Sequence, residues 1–346
     1  MIKGPAILLT QFLGDKPPYD TLKNITGWAK DLGYLGIQIP TNSNLIDLDK
    51  AAESRDYCDE LKGSCNGLVI TELSSHPYGQ LVAVHPAYNE LFDAFAIPEV
   101  RGNPKARTEW AVGQMIKSIK ASRNLGLNTN CTFSGSLLWP NVYPWPPRPE
   151  GLIELGFREL ASRWRPILQV AEEFGIDLAF EIHPGEDLHD GVTFERFREA
   201  TENHVRVAIT YDPSHFVLQC LDYLGFIDTY GVYIKAFHVK DAEFNPSPRS
   251  GVYGGYLGWK ERPGRFRSLG DGQVDFRGVF SRLTQAGYSS WAVMEWECCL
   301  KSAEQGAREG VPFIRSLLIE TADKVFDDFA GTNVDSATLR RIMGLD

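Results

Sequence analysis

Four segments of this 346-residue chain each close an apolar run on a side chain able to bind a cation. Ala179-Phe180-Glu181 presents Glu181, and Ile209-Thr210-Tyr211-Asp212 presents Asp212. Ala236-Phe237-His238 presents His238, and Ala292-Val293-Met294-Glu295 presents Glu295. One glutamate at a strand end is ordinarily a salt-bridge partner. Four adjacent strands doing the same thing at one level is another matter, because neighbouring strands lie about 4.8 Å apart and their ends converge. Three carboxylates brought together repel unless a cation neutralises them. Three carboxylates and one imidazole make a hard-to-borderline donor set. It suits one divalent ion, Mn²⁺ foremost, with Mg²⁺, Co²⁺ and Zn²⁺ also compatible.

Eight β-like runs have to position such a set. They are Ala6–Leu9, Tyr34–Ile39, Leu68–Glu72, Asn128–Phe133, Asp177–Ile182, Arg206–Tyr211, Ile234–Val239 and Trp291–Trp296. Most are nearly continuous apolar stretches, as expected of parallel strands buried on both faces. Helical patterns alternate with them over Tyr19–Leu32, Ala106–Leu125, Gly151–Phe174, Thr193–Glu202, Val217–Tyr230, Phe276–Ala286 and Gly310–Phe329. Eight βα units predict a closed α/β barrel of the (β/α)₈ (TIM) type over residues 1–330, with 331–346 as a short helical extension. The longest connections, Ser74–Asn103, Ser134–Glu150 and Ala242–Gly270, follow strands and precede helices. They therefore belong to the C-terminal mouth, where they predict a lid rich in aromatic residues, Gly, Pro and Arg.

Composition narrows the function classes. With 35 Lys+Arg against 45 Asp+Glu the net charge is −10, which disfavours a phosphate-backbone partner, so no nucleic acid is expected. No apolar run reaches the length of a membrane span, and the apolar stretch near Met1 is too short for a signal peptide. The six cysteines show no disulfide framework, which predicts reduced thiols and a cytoplasmic protein.

The order Glu181, Asp212-Pro213-Ser214-His215, His238, Glu295 on strands five to eight resembles the xylose isomerase-like barrels. These include sugar-phosphate isomerases and epimerases, ketose 3-epimerases and inosose dehydratases. The resemblance spans about residues 5 to 325. It implies that Glu181, Asp212, His238 and Glu295 are the metal ligands, that the two glutamates are the acid–base pair, and that His215 contacts substrate. It also implies a small carbohydrate substrate and a homo-oligomer. Phe244 stands where ketose 3-epimerases place an arginine. Lys240 and Asp241, in His-Val-Lys-Asp, look more like the inosose dehydratases and make Lys240 a substrate-binding candidate. Glu186 or Asp187 stands near a second carboxylate of the epimerases.

The chemistry this implies is proton abstraction beside a carbonyl through an enediolate. Returning the proton gives epimerisation or isomerisation, the leading expectation. Losing a β-substituent makes the chain a lyase, a dehydratase or an eliminase of a 3-keto-glycoside. A nuclease of the apurinic-endonuclease type on the same barrel is the remote alternative. His183, two residues beyond Glu181, is a candidate base or a hydrogen-bonded structural group. Trp139, with Tyr143 and Trp145, could stack on a sugar or merely pack the lid. Arg265 and Arg267 could grip an anion or lie in solvent. His76 and His85, in the third loop, read as solvated or lid-packing residues.

Overall fold

The computed structural model describes residues 1–322, 326 and 333–345. Ten strands are β1 (Lys3–Leu8), β2 (Gly36–Pro40), β3 (Val69–Ser74), β4 (Thr129–Thr132), β5 (Asp177–Glu181), β6 (Val207–Tyr211), β7 (Ile234–Val239), β8 (Asp241–Phe244), β9 (Gly264–Arg267) and β10 (Trp291–Met294). Eight of them close a parallel barrel in the order β1-β10-β7-β6-β5-β4-β3-β2. The expected TIM barrel is therefore present, each of its strands falling on an expected run. The remaining two strands among the described residues, β8 and β9, form an antiparallel hairpin inside the last long loop. The composition of that loop indicates only an irregular lid, so the hairpin is a feature of the fold alone.

Side chains alternate across each barrel strand, and the alternation selects what enters the lumen. On β5, Phe180 faces outward and packs edge-on against Trp164 at 4.7 Å, while Ala179 and Glu181 face inward. On β7, Phe237 packs against Phe280 of the outer helical layer, while Ala236 and His238 face inward. Cys131, Ala179, Ala208 and Ala236 form one buried layer of small side chains across β4 to β7. Small residues at that level leave room above them for polar side chains one step later on the same strands.

The helices form around this barrel for ordinary reasons. Pro104–Leu125 starts behind the cap Asn103, whose side chain accepts from the Ala106 N–H, and stops at Gly126 with φ 79°. Leu152–Phe174 stops at Gly175 with φ 70°. The expected helix Val217–Tyr230 is instead two helices, Pro213–Gln219 and Tyr223–Tyr230. Cys220 sits between them in the left-handed region at φ 58°, which ends the first helix. Two further helices, Leu48–Glu53 and Arg55–Gly63, lie between β2 and β3, where the sequence pattern predicts none. The last barrel helix runs Ala303–Arg315 rather than from Gly310, and part of the expected span to Phe329 lies outside the described residues. A helix Ser336–Ile342 follows near the C-terminus. Among the described residues, no helix is long and apolar enough to cross a membrane.

One short helix controls how the third loop leaves the barrel. His76–Gly79 presses against β4 so closely that a Cβ on Gly79 would lie 2.4 Å from the Phe133 carbonyl oxygen and 1.9 Å from Thr132 Oγ1. Backbone cannot retreat as a flexible side chain can. Gly79→Ala should therefore cost about 1–3 kcal/mol in denaturant unfolding and displace His76. Unchanged stability together with unchanged cation binding would show that this contact yields easily.

Candidate metal centre

The four side chains singled out by sequence meet at the mouth of the barrel. Glu181 ends β5, Asp212 follows β6, His238 is the penultimate residue of β7, and Glu295 follows β10. These strands are consecutive around the barrel, so the two glutamates stand at the ends of a four-strand arc. Each residue offers one ligand atom, and the four atoms lie within 4.8 Å of one another. All four residues are buried.

Local structure divides the work of each group. Asp212 is the N-cap of helix Pro213–Gln219, and its Oδ1 accepts from the Ser214 N–H at 2.8 Å. Pro213 at the first helical position costs nothing, since that N–H would have no partner within the helix. Capping fixes the carboxylate and leaves Oδ2 aimed at the cluster. The same turn brings His215 back over the strand ends, with Nε2 3.0 Å from Glu181 Oε1 and 3.3 Å from Asp212 Oδ2.

Asp212 Oδ2, Glu295 Oε2 and His238 Nδ1 are buried and make no well-formed hydrogen bond. His238 Nδ1 is nonetheless 2.9 Å from Glu295 Oε2. Lys240 Nζ lies 3.1 Å from Asp212 Oδ2 and 3.2 Å from Glu295 Oε2. Unsatisfied buried lone pairs converging within one ion's reach, on a carboxylate-rich donor set, fit a hard divalent cation. This buried group of four could therefore hold a metal ion.

The electrostatics reflect crowding. Burial raises the Asp212 carboxyl, Lys240 opposes that, and the neighbouring Glu181 and Glu295 charges add to the rise, leaving it at about 7. Burial also raises Glu181, but hydrogen bonds from His215, His238 and His76 outweigh it and hold the group well below the usual carboxylate range. Glu295 is likewise lowered, because Lys240 and His238 overcome its burial. Burial lowers Lys240, yet Asp212, Glu295 and Glu297 more than compensate and keep it an ammonium. His215 is lowered to about 4 by burial and by Lys240, so its ring is neutral at physiological pH.

His76 also belongs here, although its place in the third loop reads from sequence as a solvated or lid-packing position. It is buried, its Nε2 is 2.9 Å from Glu181 Oε2, and its Nδ1 is 2.7 Å from Ser74 Oγ. The available signal is its place directly after a strand end, in Ser74-Ser75-His76. His183 joins the same wall, its ring 4.1 Å from that of His215, with Nδ1 buried and without a partner. Gln11 Nε2 donates to Glu295 Oε1 at 3.2 Å.

Other candidates have different positions. Asp187 presents no free carboxylate: Oδ2 accepts from the Leu137 N–H at 2.7 Å, and Oδ1 from Leu138 at 2.7 Å and Trp139 at 3.1 Å. It braces the loop after β4. Glu186 accepts from the Gly135 N–H at 2.6 Å, and burial first, with the Asp187 charge, raises it to about 8. Arg265 is held across the β8–β9 hairpin by Glu243 at 2.5 Å and by the Lys260 carbonyl, and none of its bonds reaches the cluster. Two cavities open at the mouth. One of about 280 Å³ lies among Trp259, Phe266, Glu297, Cys298 and Cys299. Through Glu297, 3.4 Å from Lys240, and Phe266, whose ring centroid is 4.6 Å from Lys240 Nζ, it leads to the cluster. The other, about 490 Å³, includes Trp139, Tyr143, Pro184, Tyr253 and Arg262, so the two aromatic loops face each other across it.

A carboxylate–histidine site at the C-terminal mouth of a (β/α)₈ barrel defines a class of cation-competent barrels. Residues 27–317 match the family model of the xylose isomerase-like TIM barrel, and the chain belongs to that family. It is similar to the inosose dehydratase of Bacillus velezensis, 30% identical over 129 residues, or 37% of this chain and 43% of that enzyme. The chain thus spans less than half the length of that relative. In fold it is similar to 3-keto-D-glucoside 4-epimerase from E. coli, with a TM-score of 0.60, 14% identity, and coverage of 90% of this chain and 98% of that one. A xylose isomerase-like TIM barrel protein from Mycobacterium smegmatis, solved in complex with magnesium, matches with a TM-score of 0.60 at 15% identity, covering 91% and 96%.

Binding a cation here must displace protons. His238 is held well above its ordinary value, since Glu295 and Glu181 outweigh its burial, and Asp212 sits at about 7. Affinity should therefore rise with pH. Below about 7 both protons compete, and the logarithm of affinity should climb by roughly two per pH unit; above it, by roughly one. Mn²⁺ titrations across this range measure the slopes, and a pH-independent affinity would contradict the assignment.

Proposed function

We propose that this protein is a divalent-metal-dependent lyase. It removes the proton beside the carbonyl of a keto-sugar, keto-glycoside or keto-cyclitol and expels a β-oxygen substituent. The observation that carries the reading is the asymmetry of the two ends of the ligand arc. Glu181 is faced by the imidazoles of His76 at 2.9 Å and His215 at 3.0 Å, with His183 beyond, whereas His238 lies nearer Glu295. Glu295 is accompanied by a buried ammonium, Lys240, with Glu297 behind it.

A divalent cation held by Glu181, Asp212, His238 and Glu295 would supply the electrophile that polarises the substrate carbonyl. The chain's own groups do the proton chemistry. Glu181 is ionised at neutral pH and takes the proton from the carbon beside the carbonyl. The C–O bond on the next carbon then breaks, and its oxygen leaves with a proton from Lys240 Nζ. His215 Nε2 stands 3.0 Å from Glu181 and 3.1 Å from Lys240 Nζ, so it donates to the carboxylate in one tautomer and accepts from the ammonium in the other. Trp259 and Phe266 line the smaller cavity, offering an apolar face to the substrate. Similarity to an inosose dehydratase supports the same outcome. Among the described residues there is one such group of four ligands, which supports a single cation rather than the three of a zinc nuclease.

Epimerisation is the second reading. It is favoured by the placement of a second carboxylate, Glu295, on the far side of the arc from Glu181. Solvent exchange separates the two. In D₂O, Glu181→Gln should lose α-proton exchange and turnover together, by about 10² to 10⁴ in rate. Lys240→Met should exchange but not eliminate. An epimerase would instead leave each of Glu181→Gln and Glu295→Gln exchanging from one epimer. A screen of inososes, ketoses and 3-keto-glycosides with Mn²⁺, followed by NMR, supplies the substrate; wild-type turnover in Glu181→Gln would move the base elsewhere, to His183 first.

A further inference from the structure

Beneath the ligand arc the barrel lumen holds a second polar group that the proton chemistry does not use. Gln38 on β2 and Glu72 on β3 are both buried. Gln38 Oε1 lies 3.0 Å from His238 Nε2. On its other side, Gln38 Nε2 donates to Glu72 Oε2 and to Cys131 Sγ, each at 3.4 Å. Glu72 Oε1 in turn accepts from Ser290 Oγ at 3.4 Å. The chain Ser290–Glu72–Gln38–His238 therefore runs across the lumen to the ring whose other nitrogen faces Glu295.

We propose that Gln38 is a positioning residue for the metal centre: its carbonyl holds the proton on His238 Nε2, so that Nδ1 is the nitrogen that meets the cation, and Glu72 fixes which way the Gln38 amide points. This rests on the metal reading above and concerns how the site is held. The orientation follows from donors and acceptors. A carboxylate beside the amide accepts hydrogen bonds, so it turns the NH₂ of Gln38 towards itself and the carbonyl towards His238. An imidazole facing a carbonyl must offer N–H there, which leaves the lone pair on the opposite nitrogen. His238 Nδ1 is the nitrogen that faces the cluster, 2.9 Å from Glu295 Oε2 and 3.8 Å from Glu181 Oε2. Histidine ligands generally need such a partner on the second nitrogen, and losing it typically costs 10–100-fold in metal affinity. Gln38 comes from across the barrel, three strands from β7 by way of β10 and β1. The lumen thus ties the ligand arc to strands that contribute no ligand.

The test uses the full chain and three proteins. Gln38→Leu keeps the bulk and removes both the acceptor and the donor. The double variant Gln38→Glu with Glu72→Gln exchanges the two groups, keeping an acceptor for His238 and the net charge of the pair. Mn²⁺ affinity is measured by titration, and far-UV circular dichroism reports folding. The expected result is a loss of about 10–100-fold in Gln38→Leu, with most of the affinity restored in the exchanged pair. A long-range ¹H–¹⁵N spectrum of the wild type loaded with Mg²⁺ should show His238 protonated on Nε2 and unprotonated on Nδ1. That spectrum decides the matter even if Gln38→Leu fails to fold. Equal affinity in wild type and Gln38→Leu, or a proton on Nδ1 in the loaded protein, would overturn the role of Gln38 while leaving the metal site standing. A wild type that binds no divalent cation at all would overturn the metal reading itself.

Discussion

Three carboxylates buried at one end of a barrel are the constraint to which the rest of this structure answers. Each has lost most of its water, and each repels the others. The surroundings show how far protein groups alone can compensate. Lys240 places one ammonium between Asp212 and Glu295, and His238 faces both glutamates. Even so, Asp212 is left near neutrality in its proton affinity, and its inward oxygen has no well-formed hydrogen bond. A cluster that lysine and histidine only partly neutralise has capacity for another positive charge. The same incomplete compensation leaves the two ends of the arc unlike, with Glu181 ionised beside imidazoles and the Lys240 ammonium beside Asp212 and Glu295.

Strand geometry makes the cluster possible. A period of two places alanine and then a member of the buried cluster on the inner face: Ala179 before Glu181, Ala236 before His238. The next residue in the same phase is Lys240 on one strand and His183 on the other. Large side chains take the outer face, where Phe180, Tyr211 and Phe237 build the contact with the helices. One alternation therefore produces both the hydrophobic packing that stabilises the barrel and the register that aims the site.

That alternation is why much of the site is legible in the amino-acid sequence. Each member of the cluster interrupts an apolar run at a strand end, and the eight runs suffice for the barrel. The features that sequence does not reveal depend on closure or on distant partners. His76 follows a strand end too, but it lies after two serines and reaches Glu181 only because β3 and β5 share a lumen. Gln38 and Glu72 are polar residues inside expected strands, and nothing local distinguishes a lumen-facing amide from a tolerated one. The break at Cys220 is invisible because both halves of Val217–Tyr230 carry apolar residues at helical spacing, and only a backbone angle separates them. Asp187 misleads for the opposite reason. Its neighbourhood in sequence, beside Glu186 and near two histidines, looks chemical, yet its partners are backbone N–H groups about fifty positions earlier.

Asp187 and Asp241 show how buried carboxylates in this molecule separate into two kinds. Asp241 accepts from the N–H groups of Ala242, Gly270, Gly272 and Val274, and so holds the turn that follows β9 against β8. Asp187 does the same for the loop after β4. In both, fixed backbone dipoles take the place of water, and each carboxylate oxygen already accepts from at least one backbone N–H. Asp212 and Glu295 each keep an oxygen that no backbone N–H reaches and that faces the Lys240 ammonium instead. The distinction therefore lies in what satisfies the charge rather than in burial or sequence context. It also explains the build of the mouth. Trp164 donates to the Ser134 carbonyl at 2.7 Å and packs on Phe180, while Gly135 bonds both Glu186 and the Asp187 N–H. One wall is thereby fixed to the strand that carries Glu181. The opposite wall, bearing Trp259 and Phe266, is fixed through Asp241 to the strand that carries His238 and Lys240. Each wall is thus anchored beside one end of the buried carboxylate–histidine cluster.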